Sequence, residues 1–374
     1  MTEIPLYQQI VQRLKQQIAS GELKSGDQVP TEAVLSEQFG VSRITSKRAL
    51  TELENEGLIY RVRGKGSFVR ERETRAGSRS SSNTDSGAST IGSDLLLLLP
   101  FSHNPGLGDY EQGMHHYLDA AGHTLHIQAN SPGSQRRLLE QALLRPHQGL
   151  IFYPLEGHAD LDLLYQYALR EIPVVLMDKH LEGLPFPAVV SDNQGGGYEA
   201  ALHLIRHGHR KIAFLSWAQS ATVYTVRERY WGYLKAMHEH QLTGTASVEV
   251  SRLSTEQPEH SIQACYMQTI QMLREQGVTA IVASNDLEAI ECIRAAQSLG
   301  LSVPDDLSII GFDNIQMAEY ITPGLTTVAQ DFARIGYLAA ELLVRQIRQP
   351  HQPQPSAVVP VQLIERGSVK TLQS

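Results

Sequence analysis

The chain is poor in cysteine, with only Cys265 and Cys292 in 374 residues. Two are too few for a disulfide framework, and the absence of CxxC pairs argues against a cysteine-rich zinc site. Such usage suits a reducing compartment. Long apolar runs are lacking as well: the longest, Leu95 to Leu99, stops at Pro100, far short of the roughly 20 residues that span a bilayer. The opening MTEIPLYQQI has neither the basic start nor the apolar stretch of a secretory signal, so a cytoplasmic location is expected. Positive charge is in deficit, 32 Lys and Arg against 40 Asp and Glu for a net −8, and any contact with nucleic acid must come from a local patch. No GxSxG nucleophile elbow or other catalytic constellation is visible, and neither a cofactor nor a metal is expected.

What is present is a basic patch, a polar tether and a long alternating segment. Between Val41 and Arg70 stand Arg43, Lys47, Arg48, Arg61, Arg63, Lys65 and Arg70, against Glu52, Glu54 and Glu56. The stretch ERETRAGSRSSSNTDSGASTIGSD then has almost no large apolar side chain and reads as a flexible linker. The divisions are 1–70 for a first domain, 71–92 for the linker and 93–374 for a second domain.

In the first domain, Leu6, Ile10, Leu14 and Ile18 recur at helical spacing, with Gly21 as a stop. Thr31 can cap a second helix ending at Phe39–Gly40, and Ser42 a third running to Glu56, with Ala49, Leu50 and Leu53 inward. The turn between them, GVS, has the length of a helix-turn-helix. Arg43 and Lys47 share a face of the third helix. Arg43 and Thr45 are placed to read base edges, while Lys47 and Arg48 neutralise phosphates; the alternative is a solvated basic face. The following LIYRVRGKGSFV reads as a wing of two short strands joined at Arg63, Gly64, Lys65 and Gly66, whose glycines allow close backbone approach to a phosphate.

Over nearly its whole length this segment resembles the winged helix of the GntR family, in PTE, FGVSR, RAL, L-x-x-E-G-L-I and GKGSFV. The resemblance implies DNA contact from Arg43, Thr45 and Lys47 on the recognition helix and from Arg63, Gly64 and Gly66 in the wing. Two departures stand out. Ser46 occupies a position where an apolar residue is common, and Ala33 replaces an Arg that some members use for an extra base contact.

From Leu95 the pattern becomes short apolar runs alternating with amphipathic helices, the mark of parallel sheets covered on both faces. Strands are expected at Leu95–Leu99, Leu125–Ile127, Leu150–Phe152, Val174–Met177, Ile212–Leu215, Ile281–Val282 and Leu307–Ile310. Through IPVVLMDKH, VVSDNQGGGYEAALHLIRHGHRKIAFLS, RERYWGYLKAM, IVASNDLEAI, GLSVPDDLSIIGFDN and PGLTTV…IGYLAAELL the segment is similar to the effector domain of the LacI/GalR family. That resemblance implies an α/β domain of the periplasmic-binding-protein-like type I class, following the α+β winged helix. Its two lobes would be crossed near Asp192 and again near Asn314, leaving a ligand cleft at the strand ends. Arg229, Asn285 and Asp313 match ligand-contacting positions, and Asp178 is a further candidate; Asp178, Asp286 and Asn314 could equally cap helices or turns. A planar guanidinium beside fixed carboxylates suits a polyhydroxylated ligand, whose hydroxyls both give and take hydrogen bonds.

Two motifs are set aside. Gly195-Gly196-Gly197-Tyr198-Glu199-Ala200 imitates a dinucleotide fingerprint, but no carboxylate ends the next strand, KIAFLSW, to hold a ribose. His203, His207 and His209 are split by Gly208 with no acidic neighbour in sequence, and read as helix-end histidines complementing the dipole. The expectation is a regulator, a repressor by resemblance, with double-stranded and approximately palindromic operator DNA and a small sugar as partners. The mixed architecture resembles arabinose-responsive repressors and favours a pentose, with a purine or phosphosugar as the alternative and a Rossmann-like enzyme as a distant one. The LacI-like sensor implies a homodimer.

Overall fold

The computed structural model describes residues 6–19, 22–24, 26–42, 45–47, 49–50, 53, 59–62, 66–69, 94–100, 109–131, 133–144, 147–155, 160–217, 223–243, 248–250, 261–350 and 352–372. It divides into two compact units, Met1–Gly87 and Ala88–Ser374.

In the first unit the helix Leu6–Ala19 buries Ile10, Val11 and Leu14 against Leu35, Ala49, Leu50 and Leu53. The helix Glu32–Phe39 begins where the Thr31 hydroxyl accepts the Val34 N–H and ends at Gly40, whose φ of 61° closes the turn. Both caps follow from residue chemistry, a short oxygen-bearing side chain at the start and a glycine free to turn left-handed at the end. The Ser42 hydroxyl then accepts the Thr45 N–H at 3.2 Å, opening the third helix. Ser46 is fully buried in the expected apolar position, its hydroxyl donating to the Ser42 carbonyl at 3.4 Å. A buried hydroxyl is accommodated when it bonds back to the preceding turn. Strands Ile59–Val62 and Gly66–Val69 pair antiparallel, and Gln28–Val29 adds a third strand on the far side of Gly66–Val69.

The second unit has two lobes. One sheet runs in the order 357–359, 188–191, 174–177, 149–152, 94–99, 124–129, parallel throughout. The other runs 248–249, 212–216, 280–283, 308–313, 326–329, 362–364 and is parallel except for its last strand. Central strands such as Val174–Met177 are buried along their length, whereas the edge strand Thr124–Ala129 has exposed positions. Each sheet carries an apolar cluster on both faces, as crossover helices require.

Among the described residues, the chain passes between lobes three times: after Ser191, after Ala329 and between Val359 and Gln362. The expected crossing at Asp192 is found. The one expected at Asn314 is not, because strand Ser308–Asp313 and the next strand, Thr326–Ala329, are neighbours in the same sheet. Asn314 instead accepts a hydrogen bond from Arg366 at 2.8 Å within that lobe.

Two helix pairs meet backbone to backbone. A Cβ on Gly197 would fall on the carbonyl of Arg229, and one on Gly232 would fall on the carbonyl of Gln194. Helices Asn193–Arg206 and Tyr224–Glu239 can therefore lie this close only because both positions lack a side chain. This close packing explains Gly197, while a Cβ on Gly195 would meet the Asp192 carboxylate and one on Gly196 the Phe312 ring. Gly113 and Gly336 play the same part between helices Asp109–Ala121 and Phe332–Arg348.

Candidate functional site

In both lobes the singled-out carboxylates stand at the carboxyl ends of parallel strands, the end at which open parallel sheets bind ligands. From the second lobe comes Arg229, on helix Tyr224–Glu239 and only 5% exposed. Its Nε donates to Asn193 Oδ1 at 2.8 Å, its Nη1 to the Ser284 carbonyl at 2.6 Å, and its Nη2 lies 3.4 Å from Asp313 Oδ1. The guanidinium carbon sits 3.7 Å from the centre of the Phe312 ring. A rigid planar fork satisfied on three sides and stacked on an aromatic face has one orientation, which an ammonium could not reproduce.

Asp313 ends its strand with φ 116° and Asn314 follows with φ 56°. Consecutive non-glycine residues in this region are uncommon, and such strain gathers at functional positions. The turn presents Asp313 Oδ1 to Arg229 and to Gln330, whose Nε2 donates at 2.6 Å. Gln330 also accepts the Ser191 hydroxyl, so one side chain joins two interlobe crossings to the site. From the first lobe, Asp178 has φ 70° at the end of Val174–Met177 and accepts the Tyr110 hydroxyl at 3.2 Å. Burial, then Asp178, push the Tyr110 phenol well up. Asp178 also acts electrostatically on Asp313, raising its carboxyl from the other lobe.

Of the residues singled out from sequence, Arg229 and Asp313 thus form one cluster and Asp178 faces it. Asn285 adjoins the cluster through Ser284 and caps a helix there: its oxygen accepts the Glu288 N–H at 3.0 Å at the start of helix Asp286–Ser298, and its amide donates to the Ser284 hydroxyl at 3.3 Å. Asp286, read as a cap, is fully buried and accepts from the Ile315 N–H at 2.8 Å and from the Thr327 hydroxyl. Asn193, Phe312, Gln330 and Tyr110 escaped the sequence reading. Phe312 next to Asp313 was the available signal; Gln330 and Tyr110 gave none.

Desolvation raises three carboxyls, buried Asp286 and half-buried Asp313 and Glu288: Asp286 and Asp313 upward, the latter opposed by Arg229, and Glu288 from 4.5 to about 7 against hydrogen bonds from Trp217, Ser284 and Asn285. With folded values above unfolded ones, the folded state binds the extra protons. Stability is full below the ordinary carboxyl range and is lost as pH rises through the raised values. The thermal midpoint of the second unit is expected to fall from about pH 5 to about pH 8, and Glu288→Gln to flatten that slope. A midpoint that rises over this interval, in a thermal melt followed at several pH values, contradicts the assignment.

In the first unit, Thr45 bonds its hydroxyl to that of Ser42 at 2.9 Å, Lys47 is exposed and Gly66 opens the second wing strand. Arg43, Arg48, Arg63, Gly64 and Lys65 lie outside the described residues, as does the expected linker 71–92. Among the described residues, no helix is long and apolar enough to cross a membrane.

A three-helix reader with a wing, in one chain with a two-lobed cleft domain, defines a transcription regulator rather than an enzyme. Residues 6–69 match the bacterial regulatory proteins of the gntR family, and residues 201–369 match the periplasmic binding protein-like domain. The chain belongs to the family of helix-turn-helix transcriptional repressors with a LacI-type sensor, and its own reader is of the GntR type. It is 29% identical to the arabinose metabolism transcriptional repressor of Geobacillus stearothermophilus over 99% of both chains. To the HTH-type transcriptional repressor PurR of Photobacterium profundum it is 34% identical, over 74% of this chain and 81% of that one. Among solved structures, a LacI family transcriptional regulator of Enterococcus faecium with bound ribose is 26% identical, with a TM-score of 0.62, covering 75% of this chain and all of that one.

Proposed function

We propose that this repressor binds a pentose between its two lobes and that binding weakens its hold on operator DNA. The observation that carries the reading is the Arg229–Asp313 cluster stacked on Phe312 with Asp178 opposite. A neutral polyol finds both donors and acceptors there. Two carboxylates against one guanidinium disfavour a phosphosugar, and Arg229 occupies one face of Phe312 that a purine could otherwise stack on. The arabinose-named relative spans nearly the full length, reader included, and the solved relative with ribose shares the sensor.

For regulation the sugar must bind closed and open lobes unequally. Two copies pairing through their sensors would set two readers on half-sites about 34 Å apart. The test is calorimetric titration of the full chain with L-arabinose, D-ribose, ribose 5-phosphate and guanine, followed by operator binding with and without the tightest. Saturable binding of a pentose and a weakened operator complex support the reading. Binding of guanine or ribose 5-phosphate alone, or an operator affinity unmoved by the bound pentose, overturns it.

Thr45, Lys47 and Gly66, with Arg43, Arg48, Arg63, Gly64 and Lys65, are assigned to the DNA contact by their place in the reader. Lys47→Ala is expected to weaken binding about equally on all sequences. It should lower the slope of log affinity against log salt by about 0.9 for each phosphate released. Equal slopes in wild type and variant would remove Lys47 from the interface.

A further inference from the structure

The histidines at the end of helix Asn193–Arg206 part company in the structure. His209 turns aside, Nδ1 at 2.9 Å from the Thr279 hydroxyl and Nε2 at 3.1 Å from the Lys370 carbonyl. His203 and His207, one turn apart, stay side by side with ring centres separated by 4.2 Å. Beside them the segment after strand Gln362–Ile364 brings Glu365, Oε1 at 4.0 Å from His207 Nε2. One ligand atom from each of the three lies within 4.8 Å of the others. The acidic neighbour missing from the local sequence is supplied by the fold.

His207 Nδ1 is 2.8 Å from the His203 carbonyl, which makes Nδ1 the protonated nitrogen and leaves the Nε2 lone pair free. Metal-ligating imidazoles are commonly oriented in this way. His203 is 8% exposed, and its Nε2 is buried with no hydrogen-bond partner. Such an orphaned atom is costly, and a buried polar group without a partner calls for an unseen one. Glu365 is largely exposed, giving an ion a way in and the carboxylate freedom to close the last ångström.

We propose that His203, His207 and Glu365 form a site for one divalent ion of the zinc class, distinct from the sugar cleft. Two imidazoles and a carboxylate suit Zn²⁺ and its borderline neighbours rather than Mg²⁺ or Ca²⁺, which favour oxygen donors; a fourth, tetrahedral position is left to water. The ion ties the end of helix Asn193–Arg206 to the strand that follows the third interlobe crossing. The same helix begins at Asn193, which holds Arg229, so the ion anchors the far end of an element that shapes the cleft.

The test is titration of chelator-treated full chain with Zn²⁺, read by calorimetry and thermal shift, and with Co²⁺, read by the visible band of tetrahedral coordination. Wild type is expected to bind one tight Zn²⁺ per chain, to melt higher with it and to give the tetrahedral Co²⁺ band. His207→Ala and Glu365→Gln, both at accessible positions, should lose the band. Their Zn²⁺ affinity should fall by more than the roughly 10–100-fold typical of an outer-shell partner. Equal Zn²⁺ affinity in wild type and both variants, or no tight site in wild type, overturns the proposal.

Discussion

Arg229→Ala is expected to cost about 3–5 kcal/mol in stability and to abolish the response to sugar. The loss is large because the guanidinium serves several groups at once: without it, half-buried Asp313 loses its countercharge, and the Ser284 carbonyl and the Asn193 oxygen lose their donor. Breaking one partner out of a buried pair strands the other, which is worse than replacing both. Arg229→Lys separates the two consequences. It keeps a positive charge near Asp313 and should recover part of the stability, yet a single ammonium cannot hold three acceptors in one plane, so the sugar response should stay lost. Urea unfolding and calorimetric titration measure the two properties; an alanine variant that titrates sugar like wild type removes Arg229 from the site.

Gly197→Val is expected to destabilise the second unit by about 3 kcal/mol, the upper end for overpacking, because the obstacle is the carbonyl of Arg229 rather than a side chain that can swing away. The helices Asn193–Arg206 and Tyr224–Glu239 must separate to admit the methyls, and that carries Arg229 away from Asn193. Sugar affinity should therefore fall even in the fraction that remains folded. Gly122→Ala is a useful contrast: an added Cβ there would meet open space, and only the φ of 75° opposes the change. Thermal melts of both variants decide the matter, and a valine variant as stable as the alanine one refutes the backbone-contact account.

Much of the fold was legible because local chemistry and global packing agree. Thr31, Gly40 and Ser42 mark the reader's helix boundaries by their capping and turning capacities, and the structure uses each accordingly. The apolar runs Leu95–Leu99 and Val174–Met177 mark strands flanked on both sides. The short strands Ala188–Ser191, Thr326–Ala329, Ala357–Val359 and Gln362–Ile364 were not legible. They owe their existence to pairing with distant neighbours rather than to length or alternation, and they flank the crossings, which is why the second crossing was misplaced to Asn314. In the site, the resemblance to LacI-type sensors pointed to Arg229, Asn285 and Asp313, and a place just after a strand pointed to Asp178. Gln330 and Tyr110 were invisible because a neutral side chain acquires a role only from what the fold sets opposite it; Glu365, though charged, was hidden by its distance in sequence from His207.

The three strands of chain that join the lobes, side by side like the sewn spine of a book, leave the covers one easy freedom: to open and shut. Twisting or sliding one cover over the other would stretch at least one stitch, and Gln330 knots two of them to the carboxylate at the bottom of the page. For the sugar proposed above, a hinge of this kind would favour one direction of closure.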